Sequence, residues 1–113
     1  MFYNPLMARI TCKTQKARNA AIRRKIKEAA AALSKDKPKN AGIELHIAAF
    51  SIQRNAKGIW SPKAVRDIGN DAFWVGSQLM KPSTMHWPKW KYRMMAIVRN
   101  VEREVQRTNA RCK

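Results

Sequence analysis

The sequence feature that most constrains this chain is the stretch of residues 14–34, TQKARNAAIRRKIKEAAAALS, which is rich in strong helix formers. An apolar stripe recurs through it at helical spacing and consists of Ile22, Ile26, Ala29 and Leu33. Thr14 stands where a hydroxyl can cap the first turn. The pattern predicts a helix over residues 14–34 that buries one narrow face against the rest of the protein.

The polar face of this predicted helix is strongly basic. Eight Lys or Arg residues precede Glu28, which is the first acidic residue of the chain. Cations near the start of a helix oppose its dipole, which favours acidic side chains there. A solvated basic face is the ordinary explanation of a short charge run, but eight cations without an acid indicate a surface that lies on phosphates.

The overall charge supports the same interpretation. The 113 residues suffice for one domain with a modest core. Twenty-four Lys and Arg against seven Asp and Glu give a net charge of +17 and an isoelectric point near 10.9. Such an excess predicts a polyanionic partner, and nucleic acid is favoured over an acidic protein or an anionic membrane. No apolar run is long enough to span a bilayer.

The two cysteines, Cys12 and Cys112, stand near opposite ends of the chain and define no disulfide framework. We predict free thiols in a reducing compartment, with a disulfide between the two ends as the alternative. The first residues, MFYNPLMA, lack the features of a secretory signal and are too short and too poor in Arg and Ser for a full transit peptide.

Three further helices are predicted after residue 34. A lysine-rich turn at 35–40 leads into residues 41–57, where the letters GIELHIAAF also permit a strand. Asn40 as a start signal and Gly58 beyond the end favour a helix there. The next helix begins at Ser61-Pro62, a cap followed by proline at the first helical position, and runs to Met80. The final helix follows from Pro88, after a link rich in Pro and Trp.

The predicted fold is therefore all-α, a three-helix bundle with a long basic first helix and a C-terminal extension helix. Three segments are expected: a basic N-terminal arm over 1–13, the bundle over 14–80, and the link with its extension helix over 81–113. The predicted apolar seam comprises Ile22, Ile26, Leu33, Ile47, Phe50, Val65, Ile68 and Val75. Trp74 and Trp90 are expected in the core or against a partner, whereas Trp87 stays open as a base-stacking residue.

Catalytic and metal-binding chemistry finds little support. A zinc site would need the scattered residues Cys12, His46, His86 and Cys112 to converge without ligand spacing. His46 lies on a largely apolar segment, which is typical of a hydrogen-bonded interior histidine. The sequence carries no Gly-rich phosphate loop and too few acids for a paired carboxylate site. We predict no enzymatic activity, no cofactor, no metal and no small-molecule substrate.

Two other classes of function remain open at this stage. Residues 62–80 partly resemble a helix-turn-helix with Gly69 at the turn, although Asn70 stands where an apolar residue is wanted. That alternative would make the chain a phage- or plasmid-type DNA-binding regulator. A cationic protein acting on membranes or on an acidic protein is the second alternative.

Two stretches, KTQKARNAAIRRKIKEAAAAL and NAKGIWSPKAVRDIGNDAF, carry a family resemblance. Their shared features are KAR at 16–18, the Arg23-Arg24 pair, AKG with Ile59 at 56–59, KA at 63–64, and Arg66. In order and spacing they resemble the twentieth protein of the bacterial-type small ribosomal subunit. MARITCK, from Met7, is similar to the basic arm of that family, which would make residues 1–6 a leader. The resemblance covers about residues 7–80.

The resemblance implies a small three-helix bundle without enzymatic activity that binds small-subunit rRNA. Carried over by position, it assigns rRNA contact to Lys16, Arg18, Arg23, Arg24, Lys57, Lys63 and Arg66. The charges of the arm and of the first helix add Arg9, Lys13 and Lys27. The full set of predicted RNA-binding residues is thus Arg9, Lys13, Lys16, Arg18, Arg23, Arg24, Lys27, Lys57, Lys63 and Arg66.

The chain departs from that family in two places. The stretch between Arg24 and AKG is shorter, and residues 81–113 have no counterpart. An extension rich in Trp and Arg suits a divergent organellar ribosome, where added segments meet neighbouring ribosomal proteins. We therefore expect a mitochondrial ribosome, with a plastid or the bacterial cytoplasm as alternatives, and no membrane contact.

Overall fold

The computed structural model describes residues 10–81 and 87–112, apart from the side chains of residues 87 and 88. These ranges contain four helices and no strand, so the all-α prediction is confirmed. The helices are α1 (Cys12–Ser34), α2 (Pro38–Asn55), α3 (Pro62–Leu79) and α4 (Trp87–Ala110). The predictions for Arg9, His86 and the side chain of Trp87 lie outside the described residues.

The helix ends follow from capping groups that the sequence carries, though not always the predicted ones. α1 begins two residues early because Thr11 caps it, its hydroxyl accepting from the Thr14 N–H at 3.1 Å. Thr14 is therefore inside the helix, and the predicted arm ends before Cys12. α2 begins at Pro38, within the predicted turn, because proline suits the first turn of a helix.

The start of α3 agrees with its prediction. The hydroxyl of Ser61 accepts from the Ala64 N–H at 3.1 Å, and Pro62 follows at the first helical position. The corner before it turns at Gly58, whose φ of 83° lies in the left-handed region. Because only glycine enters that region without strain, Gly58 lets the chain reverse between α2 and α3.

Each helix packs against two others, in the cyclic order α1, α2, α3, α4. The α2–α3 crossing is close, because glycines face each other there. A Cβ on Gly76 would lie 2.9 Å from the Gly42 carbonyl oxygen and 2.7 Å from Cδ2 of His46. The two backbones therefore touch at a place where no side chain larger than hydrogen fits.

One apolar core receives residues from all four helices. Its larger members on the helices are Ile22, Ile26, Leu33, Leu45, Ile52, Ile68, Val75, Leu79, Trp90, Met94, Ile97, Val101 and Val105, and the α2–α3 corner adds Ile59 and Trp60. The inner face of α4 thus belongs to the same core as α1 to α3, while the division of the chain at residue 80 stays a prediction. Burial of this face on both α1 and α4 fixes which sides of these helices reach solvent.

Three residues of the predicted seam or core lie elsewhere. Ile47 and Phe50 are 41% and 66% exposed, because Leu45 and Ile52 set the buried face of α2 and turn the opposite side outward. Trp90 is buried as expected, whereas Trp74 is 46% exposed and packs its ring against that of Trp90. The prediction for Ile47 and Phe50 is therefore wrong.

The prediction of free thiols is also wrong, because Cys12 and Cys112 form a disulfide with their Cα atoms 5.4 Å apart. α1 and α4 run antiparallel, which places the first residue of α1 beside the residues that follow α4. The two cysteines are 100 positions apart in the sequence, which gives no indication that they are close in space. The inference of a reducing compartment rested on free thiols and loses that basis.

Candidate nucleic-acid interface

The outer face of α1 carries most of the predicted RNA-binding residues. Because its opposite side is buried in the core, four cations stand on the solvent side: Lys13, Lys16, Arg24 and Lys27. None of the four forms a salt bridge in the part of the chain that the structure describes. Their charges are available to an anion from outside, and we call this set the α1 basic face.

Other cations of α1 lie at its edges and contact neighbouring helices. Arg23 pairs with Glu102 of α4 at 2.5 Å. Lys25 lies 3.2 Å from Glu28 and 3.6 Å from Glu44 of α2. The hydrogen bond and charge of Glu28, with a smaller contribution from Glu44, raise the pKa of Lys25. These residues join α1 to its neighbours, so Arg23 has a structural contact in addition to its predicted role.

The predicted residues of α3 are partly neutralised by an acid that the sequence analysis did not weigh. Lys63 lies 2.7 Å from Asp67, and Arg66 lies 3.3 Å from the same carboxylate. Hydrogen bonds from Lys63 and then Arg66 hold the pKa of Asp67 below its usual value. All three are well exposed, so the pairing adds little stability. It does reduce the net charge that α3 presents.

The remaining predicted residues do not belong to the α1 basic face. Lys57 is exposed at the corner between α2 and α3, and Arg18 is half-buried on α1. The fold brings the α1 cations together, and it separately places Lys57 and Arg66 on the lining of one pocket at the α2–α3 corner. Arg9 lies outside the described residues.

α4 adds cations that the predicted set omitted. Arg99 and Arg103 are exposed on its outer side, one helical turn apart. The contact of Arg23 with Glu102 places this side of α4 next to the α1 basic face. Spacing of arginines by four residues was the signal available in the sequence. This spacing predicts that the arginines share one face of a helix, but it does not indicate which other helix lies beside that face.

A buried polar cluster holds α4 in place against α1. Asn19 is fully buried, and its amide donates to Thr108 Oγ1 at 2.9 Å and to Asn109 Oδ1 at 2.8 Å. Its carbonyl oxygen accepts from the indole N–H of Trp60 at 2.9 Å. Gln15 adds a bond to the Thr108 carbonyl at 2.5 Å. Residues from α1, α4 and the α2–α3 corner therefore meet at one amide.

This cluster could not be predicted from the sequence. A lone Asn within a basic helix and a lone Trp after a turn give no periodic signal, and their hydrogen bonds span 41 and 89 residues. Together with the nearby Cys12–Cys112 bond, the cluster fixes how α4 lies along α1. It thereby sets the distance between the cations of the two helices.

His46 is hydrogen-bonded at the α2–α3 contact. Its Nε2 lies 3.1 Å from the Phe73 carbonyl oxygen and 2.9 Å from the Ser77 hydroxyl, and its ring stacks on Phe73 at 4.4 Å. This agrees with the prediction of a partnered histidine. The described residues include no group of three His, Cys, Asp or Glu side chains arranged for a metal ion.

α3 bears on the helix-turn-helix alternative. It is one continuous helix from Pro62 to Leu79 and passes through Gly69 without a turn. The turn that the helix-turn-helix alternative places at Gly69 is therefore absent from α3. Within the described ranges, no helix is both long and apolar enough to cross a membrane.

Comparisons with protein-family models, curated proteins and solved structures give no significant match to this chain.

Proposed function

We propose that this protein is a structural constituent of a small ribosomal subunit that binds rRNA through the α1 basic face. The observation that supports the proposal is the set of four exposed cations without a salt bridge in the described chain, on a helix whose other side is buried. The net charge of +17 favours a polyanion as partner.

In this proposal α1 to α3 form the three-helix rRNA-binding bundle, with α1 as its long basic helix. α4 is the extension, and its outer side meets neighbouring ribosomal proteins, since its inner side is occupied by the core. The proposed compartment is a mitochondrial ribosome, with a plastid or bacterial cytoplasm as alternatives. Any assignment has to accommodate the Cys12–Cys112 bond, which reducing compartments disfavour.

The proposed mechanism is electrostatic. Lys13 and Lys27 are fourteen residues apart, which corresponds to about 21 Å along a helix. Cations spread over that length can contact phosphates on both sides of an RNA groove. Each neutralised phosphate releases counterions, so four contacts give a slope of log affinity against log salt of roughly −3 to −4. Shape and phosphate placement position the protein, without readout of base edges.

A pair of double variants tests which face docks. Neutralising the α1 basic face with Arg24→Gln and Lys27→Gln should weaken binding to small-subunit rRNA and flatten the salt slope by roughly 1.5 to 2. The matched control, Lys63→Gln with Arg66→Gln, removes the same formal charge from α3. It should have less than half the effect, because Asp67 already offsets one of those cations. Arg23 is left intact because its loss would strand Glu102.

The measurements are filter binding over a salt series and sedimentation of the tagged protein from its own cells on a sucrose gradient. Comigration with the small subunit, lost in the α1 double variant, is the expected result. Free sedimentation of the wild type would contradict the ribosomal role. Equal losses from the α1 and α3 double variants would contradict the assignment of the docking face.

A further inference from the structure

A cleft of about 390 Å³ lies between the outer sides of α1 and α2. Ile47 and Phe50 of α2 supply an apolar surface, and Arg24 and Arg54 belong to the same lining. Ser51 adds a hydroxyl beside them. The cleft thus combines an aromatic ring, two cations and a hydrogen-bonding group within one space.

The aromatic ring of this cleft is unusually open to solvent. Phe50 is 66% exposed, compared with 48% for Phe73. It was expected in the core, and the phase of α2 instead places it outside. An exposed ring in a charged cleft offers a flat apolar surface on which a planar group can stack.

The two arginines give the cleft its positive charge. Neither Arg24 nor Arg54 forms a salt bridge in the described part of the chain, although the charge of Arg24 also acts on Glu28. Lys25, which also lines the cleft, is held by Glu28 and Glu44. The cleft therefore has one arginine without a salt bridge from each of its two helices, Arg24 from α1 and Arg54 from α2.

We propose that this cleft binds one unpaired nucleotide of an RNA strand. Its base stacks on Phe50, and Arg24 and Arg54 contact the phosphates on either side. Aromatic rings and guanidinium groups are the usual partners of splayed-out bases and of phosphates in single-stranded RNA. The volume lies at the lower end of the range for small-ligand pockets, as a single nucleotide requires.

The position of the cleft favours RNA over a protein helix as its occupant. Arg24 belongs both to the cleft and to the α1 basic face, so the cleft continues the proposed rRNA surface. A docking helix would need an apolar stripe over several turns, whereas here Arg54 follows Phe50 after one turn and interrupts it. The inference rests on the RNA binding proposed above and adds to it an unpaired nucleotide.

Replacing Phe50 by alanine tests the inference. The probe is an oligouridylate of about 12 nucleotides, with a fully paired RNA duplex as comparison. Loss of one stacked base should weaken oligouridylate binding by roughly 5- to 150-fold and leave duplex binding unchanged. The salt slope should not change, because no charge is removed. Phe50→Trp should bind at least as well as the wild type.

Tyr92→Ala is the matched control, because Tyr92 is 71% exposed on α4 and does not line this cleft. It should bind oligouridylate as the wild type does. Arg54→Gln should lower both the affinity and the salt slope, the latter by roughly 0.7. Photocrosslinking with 4-thiouridine, mapped by mass spectrometry, should place the modified peptide at Phe50.

Several results would overturn the inference. They are unchanged oligouridylate binding by Phe50→Ala, an equal loss in Tyr92→Ala, or a wild-type dimer that Phe50→Ala dissociates in sedimentation. If the wild type sediments with the subunit and Phe50→Ala binds oligouridylate normally, the cleft proposal alone is rejected. If the wild type does not sediment with the subunit but Phe50→Ala loses oligouridylate affinity as expected, the ribosomal role alone is rejected.

Discussion

Removal of the Cys12–Cys112 bond should destabilise the protein substantially without changing its fold. The bond joins residues separated by 100 positions, which closes almost the whole described chain into one loop. In the chain-entropy model a loop of this length restricts the unfolded state by about 4.7 kcal/mol at 25 °C. Removal of a native disulfide from a small domain typically costs about 2–5 kcal/mol, and we expect a loss in that range.

The fold should survive the loss because α4 has other attachments. Its apolar face is buried, and Asn19 holds Thr108 by a hydrogen bond of 2.9 Å. Urea unfolding followed by circular dichroism would compare the oxidised protein, the reduced protein and the variant Cys12→Ser with Cys112→Ser. Both forms without the bond should unfold at the same lower midpoint. Their slopes should be steeper, because an open unfolded chain exposes more surface.

Two results would refute this reasoning. Titration of two free thiols in protein purified without reductant would show that the bond does not form. Equal midpoints for the oxidised and reduced proteins, with the bond verified by mass spectrometry, would show that loop closure contributes nothing here. The double serine variant is preferred to a single one, which would leave one unpaired thiol beside the other helix.

Two further predictions concern packing and the buried polar cluster. Gly76→Ala should lower the free energy of unfolding by about 1–3 kcal/mol, since its Cβ would meet His46 Cδ2 at 2.7 Å. Its control is Gly69→Ala, where the nearest atom lies 3.9 Å away, and this variant should be neutral or stabilising by up to about 1 kcal/mol in thermal unfolding. Thr108→Val keeps the shape but removes a hydroxyl that binds Asn19, and should cost about 1–3 kcal/mol in urea unfolding. A stability equal to that of the wild type would show that this bond is dispensable.

Local signals in the sequence were sufficient for most of the helices. Ser61-Pro62 marked the start of α3, and the spacing of Trp90, Met94 and Ile97 gave the buried face of α4. These signals act over one or two turns, where periodicity and capping are decisive. Helix ends shifted where a neighbouring residue, such as Thr11 or Pro38, was the better cap.

Contacts between residues far apart in the sequence could not be predicted from these local signals. Phe50 was expected in the core because its segment carries apolar residues on two sides of the helix. Packing against α1 and α3 buries the side of Leu45 and Ile52 and leaves Phe50 exposed. Cys12 and Cys112 were read as separate because antiparallel pairing of the first and last helices is a tertiary property. For the α1 basic face, charge pattern and family resemblance together were sufficient to select Lys16, Arg24 and Lys27. The ion pair of Arg23 depends on where α4 packs.

The Asn19 cluster also determines register. Sliding α4 by one residue along α1 would rotate Thr108 away by about 100°, given 3.6 residues per turn. The amide of Asn19 would then lie in an apolar interior with its donors unused, at a cost of about 1–3 kcal/mol for each unsatisfied group. Apolar contacts between leucine and valine side chains would be compatible with many alignments of the two helices. The hydrogen bonds of the Asn19 amide with three partners are compatible with only one. The cluster therefore fixes the position of Arg99 and Arg103 on α4 relative to Lys16 and Lys27 on α1.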